Sequence, residues 1–195
     1  LNFSEKDLAV GQRKVVLILW NIYNYFVSYA NTAGWKSAHE SKPSKRVLDQ
    51  WISARTLELI NTVTENLDVY DTVRSTRAIE EYVNDLSTWY LRRSRGRADH
   101  EFFATLRYCL IVVSKVIAPF MPYVAEEIYR NLVGEGMRDS SASTPQNDNL
   151  VASVHLERWP EKKKLTKKQE ELLAQMAQLR KIVEEAHALR AKAGI

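Results

Sequence analysis

Cysteine, glycine and histidine are scarce in this chain of 195 residues, and their scarcity excludes several kinds of site. The one cysteine, Cys109, lies in an apolar run, so no disulfide can form within the chain and a reducing, cytoplasmic location is expected. The 6 glycines follow no pattern, which argues against a glycine-rich phosphate loop. The 4 histidines lack the cysteine or carboxylate spacing of a metal site. We therefore expect no catalytic residue, metal site or cofactor within this chain.

Long apolar runs are also missing. None of the runs is long enough to span a bilayer, and the first residues lack the layout of a signal peptide, so no membrane partner is expected. The hydrophobic fraction of 45% is enough for a sizeable core, and the net charge of +4 favours an anionic partner. Because the chain opens on Leu1 and stops after a helical pattern, we expect a piece of a larger protein.

Five helical patterns occupy residues 1–133 and predict an all-α, antiparallel five-helix bundle. The second pattern begins at Ser44, which is a plausible N-cap. Asp99 is expected to cap the fourth helix, and Pro122 suits the first turn of the fifth. The predicted core positions of the third and fourth helices are Ile79, Val83, Leu86, Tyr90, Phe103, Leu106, Leu110, Val113 and Ile117.

The residues after the bundle predict a linker, an extended segment and one more helix. Residues 134–150 are polar and read as a flexible linker, and residues 151–156 alternate like a short strand. The last helix is expected from about residue 166 onward. It carries an apolar seam that needs another surface, either this bundle or a part of a larger protein. The seam consists of Leu172, Met176, Leu179, Val183 and Ala186.

The most informative segment is a cluster of arginines after an aromatic residue at the end of the third helix. Arg92, Arg93, Arg95 and Arg97 follow Trp89 closely. Dense arginines need an anionic partner, and an aromatic ring can stack on a base. Helical spacing places Trp89, Arg92 and Arg93 on one face. The alternatives are a solvated helix end that complements the macrodipole, and a tryptophan that belongs to the core.

Several segments together resemble the anticodon-binding helical domain of class Ia aminoacyl-tRNA synthetases. The resemblance lies in LWNIYNYF at 19–26, in residues 78–95 and in APFMPYVAEEIY at 118–129. Residues 153–160 and 189–195 are most similar to the isoleucyl members of that group. The sequence departs from the pattern after Gly96, where it is shorter, and in its polar linker.

The resemblance implies that this chain is the non-catalytic, tRNA-reading part of a ligase. The whole enzyme would attach isoleucine to its tRNA with ATP and magnesium, using catalytic, editing and C-terminal regions of the same parent chain. In the methionyl relative, a tryptophan matching Trp89 stacks on an anticodon base, and an asparagine of the first helix helps to read the loop. Asn21 is the nearest match to that asparagine, and Asn24 lies on the same polar stripe of the helix. The alternative is that this stripe only faces solvent.

Two other functions fit parts of the sequence. A valyl, leucyl or methionyl synthetase would share the fold, although the segment HLERWP at 155–160 argues against it. A helical protein-interaction module without any RNA role would explain the apolar seam of the last helix, but it would have no need of the arginine cluster.

Overall fold

The computed structural model describes residues 11–36, 44–134 and 153–194, and they form an all-α bundle. The predicted fold class is confirmed, and no strand occurs in these three ranges. The six helices are α1 (Ile18–Thr32), α2 (Val47–Asp68), α3 (Thr72–Asn84), α4 (His100–Ile117), α5 (Pro122–Gly134) and α6 (Lys167–Lys192). A π-helical segment (Gln12–Leu17) precedes α1. A second one (Asp85–Leu91) and a 3-10 turn (Arg92–Ser94) continue α3.

Consecutive helices of the bundle run in opposite directions. The buried hydroxyls of Thr56 and Tyr82 lie 2.7 Å apart between the antiparallel helices α2 and α3. Between α4 and α5, the Arg107 guanidinium donates to the carbonyl oxygen of Leu132. The C-terminal ends of α1 and α3 therefore meet the N-terminal ends of α2 and α4. This end of the bundle comprises residues 29–36, 44–49 and 92–101, and we call it the arginine end.

The core follows the predicted helical periodicity. All nine core positions predicted for the third and fourth helices are at most 2% exposed. Cys109 belongs to the same core, and burial raises the pKa of its thiol to about 11. A thiol with such a pKa stays protonated at neutral pH, which fits a packing role rather than nucleophilic chemistry.

Two of the predicted helix starts are confirmed and one is wrong. The Asp99 carboxylate accepts from the backbone N–H of Phe102 at 3.0 Å and caps α4, and Pro122 is the first residue of α5. Ser44 is not an N-cap, since Arg46 occupies that position of α2. The Ser44 hydroxyl instead lies 2.8 Å from an Asp49 oxygen and 2.7 Å from a Glu101 oxygen.

The predicted extended segment is wrong where the structure describes it. Val154–Leu156 is a 3-10 turn, because the Ser153 hydroxyl accepts from the backbone N–H of His155. The Glu126 carboxylate of α5 fixes this turn by accepting from the Ser153 hydroxyl and the Val154 N–H, both at 2.9 Å. Gly134 ends α5, and the rest of the predicted linker lies outside the described residues.

The last helix contacts the bundle from its first turns to about Val183. It begins where the sequence predicts, and a capping box at Thr166 starts α6. Met176 is buried, and Leu172, Leu173 and Val183 pack partly against the core. The second half leaves three large apolar side chains exposed: Leu179, Ile182 and Leu189. Only part of the predicted seam is therefore covered. None of the helices in the described ranges combines the length and apolarity needed to cross a membrane.

Candidate nucleic-acid interface

The backbone after α3 presents the arginine cluster at the arginine end. The helix widens to π-helical winding over Asp85–Leu91 and then tightens into a 3-10 turn. Gly96 follows with a φ of 88°, a left-handed conformation that glycine adopts without steric cost. The chain thus turns sharply within the cluster, and the side chains of Arg92, Arg93 and Arg95 are exposed.

Arg97 points in the opposite direction, into the bundle. Its guanidinium donates two bonds to the Asp49 carboxylate, at 2.7 and 2.9 Å, and two more to the Asp99 carboxylate, both at 2.9 Å. It also lies over the Phe102 ring, 5.2 Å from its centroid. All three guanidinium nitrogens of Arg97 thus donate within the protein, and the structure separates it from the three exposed arginines.

Asp49 is the centre of the network that holds the arginine loop. It is buried, and it also accepts from the Tyr90 hydroxyl at 2.9 Å. Burial alone would raise the pKa of its carboxyl, but the hydrogen bonds from Arg97, Ser44 and Tyr90 outweigh burial and lower it. A buried, charged aspartate therefore links the beginning of α2 to Tyr90 and Arg97, which follow α3.

Trp89 lies under two arginines rather than at an open edge. The ring is 9% exposed, with the Arg93 guanidinium 4.1 Å and the Arg180 guanidinium 5.5 Å from its centroid. Both distances are typical of cation–π contacts. A cleft of about 530 Å³ beside the ring is lined by Thr88, Trp89, Arg92, Arg93, Val183, Glu184 and His187. In this conformation, the ring offers no free face to a base.

Arg180 joins α6 to the bundle through Asp85. Its guanidinium lies 2.6 Å from one oxygen of the buried Asp85 carboxylate, and the Arg55 Nε lies 3.1 Å from the other oxygen. The Arg180 contact is a close charge contact rather than a well-angled hydrogen bond. Arg180 is a residue of the candidate site that the sequence analysis missed, because nothing near it in sequence signals Asp85 or Trp89.

The polar stripe of α1 is exposed. Asn21 and Asn24 both face outward. The same helix carries a feature that the sequence analysis also missed. The rings of Tyr25 and Tyr29 are stacked, with centroids 4.1 Å apart and planes at 21°. The i, i+4 spacing of two tyrosines was the available signal. Burial and the neighbouring Tyr29 raise the pKa of Tyr25, and the positive charge of Arg95 partly opposes this rise, so the pair lies within electrostatic reach of the cluster.

The groups at this end of the bundle are suited to contacts with a polyanion. In the described ranges, no group of three histidine, cysteine or carboxylate side chains is arranged to hold a metal ion. The site instead combines exposed guanidinium groups, amides and stacked phenol rings, which are the groups that contact phosphates and unpaired bases.

Comparison with known proteins decides the family. The profile of the family described as "Anticodon-binding domain of tRNA ligase" matches residues 49–195. The chain belongs to this family. The matched region of this anticodon-binding domain includes the arginine cluster and α6, but it does not include α1.

Curated relatives cover α1 as well. This anticodon-binding domain is 39% identical to an isoleucine–tRNA ligase of Deinococcus radiodurans over 96% of its length, and 39% identical to that of Thermus thermophilus over 94%. The isoleucine–tRNA ligase of Streptomyces coelicolor is 37% identical over 94%. In each case the chain spans 17% of the relative's length.

Proposed function

We propose that this anticodon-binding domain binds the anticodon stem-loop of isoleucine tRNA as part of an isoleucine–tRNA ligase. The family supports the role in tRNA binding, and the relatives support isoleucine as the amino acid. The whole ligase would use ATP and magnesium to attach isoleucine to its tRNA, with catalytic and C-terminal regions of the parent chain that lie outside these residues.

The observation that carries this proposal is that the four arginines differ in exposure and in contacts. Arg97 is bound to Asp49 and Asp99, and it holds the loop in place. Arg92, Arg93 and Arg95 are exposed on that loop. Guanidinium groups held in this way can donate paired hydrogen bonds to phosphate oxygens without a cost of ordering the backbone. We therefore assign phosphate contacts to these three arginines and a positioning role to Arg97.

Trp89 and the asparagines take different roles in this proposal. A base stacks on Trp89 only when Arg93 leaves the ring, for example to contact a phosphate. In the free chain, Trp89 supports Arg93 and Arg180. Asn21 and Asn24 are exposed on α1, where their amides can donate to and accept from the edges of unpaired bases.

A salt titration of RNA binding tests the phosphate contacts. The variant Arg92→Gln, Arg93→Gln, Arg95→Gln should bind an isoleucine anticodon stem-loop more weakly than the unaltered chain. Its log–log salt slope should be shallower by about 2 to 3, at about 0.7 to 0.9 per lost contact. Arg97 is left intact so that the loop keeps its support.

A charge-matched control separates specific contacts from net charge. Arg74, Arg77 and Arg158 are also exposed, and α3 begins at the opposite end of the bundle. Their replacement by glutamine removes the same charge and should leave the slope nearly unchanged. Equal slopes for both triple variants would refute the assignment of the phosphate contacts.

A protein-interaction module is the second candidate, because α6 exposes Leu179, Ile182 and Leu189. That reading predicts no measurable binding to any RNA at moderate salt, whereas the proposed function predicts binding that falls steeply as salt rises.

A further inference from the structure

The stacked tyrosines of α1 form an exposed aromatic surface. Tyr29 is 50% exposed, while Tyr25 packs partly against the core. Because one face of the Tyr29 ring lies on Tyr25, a base would stack on the other face. The pair is therefore anchored at Tyr25 and open at Tyr29.

Polar and positive groups surround this surface. Asn21 and Ser28 are exposed and lie four residues before and three residues after Tyr25, so they share its helix face. Asn24 is exposed on the adjoining face. Burial, followed by the nearby Tyr29, raises the pKa of Tyr25, and the positive charge of Arg95 opposes this effect. Tyr29 and Arg95 both belong to the arginine end, and α1 also carries exposed amides. An exposed ring, amides and a guanidinium match the three parts of a nucleotide: its base, its base edge and its phosphate.

We propose that the Tyr25–Tyr29 stack is the platform on which an unpaired base of the RNA loop stacks, with Tyr29 in direct contact and Arg95 on the adjoining phosphate. This inference rests on the proposed function and adds the residues that hold a base. The Trp89 ring is less suited to this role, because Arg93 and Arg180 cover it and it is 9% exposed, whereas Tyr29 is 50% exposed.

The platform implies single-stranded RNA as its ligand. A base in a duplex is stacked on both sides, whereas a loop base can continue the ring stack of Tyr25 and Tyr29. A purely structural pair would stabilise α1 slightly, as aromatic pairs at this spacing do, and would leave RNA binding unchanged.

The test uses the whole chain and an isoleucine anticodon stem-loop with 2-aminopurine at loop positions in turn. Binding should quench the 2-aminopurine that stacks on the platform. Tyr29→Ala should abolish that quenching and weaken binding by about 5- to 150-fold, as expected for the loss of one stacked base. Tyr29→Phe keeps the ring and should keep both the quenching and the affinity.

Tyr70→Ala is the matched control. Tyr70 is 92% exposed in the turn between α2 and α3, at the end of the bundle opposite to Arg95, so its loss should change neither signal. A fully paired RNA duplex should bind the unaltered chain and Tyr29→Ala equally well.

Two failures are distinguishable. If the unaltered chain quenches and binds but Tyr29→Ala does the same, the platform is refuted while the proposed function stands. If the unaltered chain does not bind the stem-loop, both are refuted. A far-UV circular dichroism spectrum of Tyr29→Ala that matches the unaltered chain shows that its defect is in binding rather than folding.

Discussion

Arg97 shows why counting charges in a sequence does not locate a binding surface. It belongs to the same short run as Arg92, Arg93 and Arg95, and its residue type is the same. Its partner Asp49 lies 48 positions earlier in the chain. The two residues meet only because α2 packs beside the segment that follows α3. The sequence could therefore predict the cluster, but not which arginine turns inward.

Replacing Arg97 should therefore affect folding first. Arg97→Gln would leave the buried Asp49 carboxylate without its cation, and we expect the free energy of unfolding to fall by about 3 kcal/mol. Urea unfolding at neutral pH measures this change. Arg92→Gln is the control at an exposed position and should stay within about 0.5 kcal/mol of the parent. Equal stability of both variants would contradict the inward role of Arg97.

The same network predicts a response to acid. The hydrogen bonds from Arg97 lower the pKa of Asp99 to about 2, so folding favours its charged form. The resulting stability is present above the usual carboxyl pKa of about 4 and is lost as the pH falls toward 2. Asp99→Asn retains a capping side chain but does not titrate. Its unfolding free energy should therefore fall less steeply than the parent's over that interval, and an identical pH profile would contradict the assignment.

Trp89 is expected to act as a packing residue in the free chain. Because its ring is nearly buried between α3 and α6, Trp89→Ala should lower the free energy of unfolding by about 3 kcal/mol or more. Thermal and urea unfolding measure this loss. An unchanged melting temperature with weaker RNA binding would instead identify Trp89 as the stacking residue that the methionyl resemblance implies.

At the scale of helices and turns, the features that the sequence predicts correctly are those that neighbouring residues determine. The Asp99 cap, the proline at the start of α5 and the helical periodicity act within a few residues, and the helices follow them closely. Ser44 and the segment 153–156 were mispredicted because distant carboxylates fix them: Glu101 for Ser44 and Glu126 for the segment. The i, i+4 spacing of Tyr25 and Tyr29 could indicate that their rings are in contact, but no local rule indicates that Tyr29 is exposed.

The last helix is expected to be dispensable for the bundle. Deleting residues from 166 onward removes one buried side chain, Met176, together with the Arg180–Asp85 contact, while the core among α1 to α5 remains. We expect a cooperative helical melt at a lower temperature. Arg180→Gln should produce a smaller decrease, since it removes the ion pair alone. Loss of the whole cooperative transition on deletion would show that α6 is integral to the fold, and that the predicted boundaries at 133 and 151 are wrong.

At the scale of the whole molecule, one end of the bundle gathers the features of an RNA-binding surface. The network around Asp49 holds the arginine loop, Tyr29 is exposed on neighbouring α1, and α6 passes beside Trp89. The chain spans 17% of each isoleucine–tRNA ligase described above, so the remaining regions of a parent enzyme would supply the chemistry and further contacts to the tRNA.

The most direct measurement of the central claim is a competition between three RNAs for this chain at one fixed salt concentration. The RNAs are isoleucine tRNA, the same tRNA with its anticodon bases replaced, and an unrelated tRNA. We predict that isoleucine tRNA binds most tightly, and that replacing its anticodon reduces the affinity to that of the unrelated tRNA. Equal affinity for all three RNAs would contradict anticodon recognition by this domain.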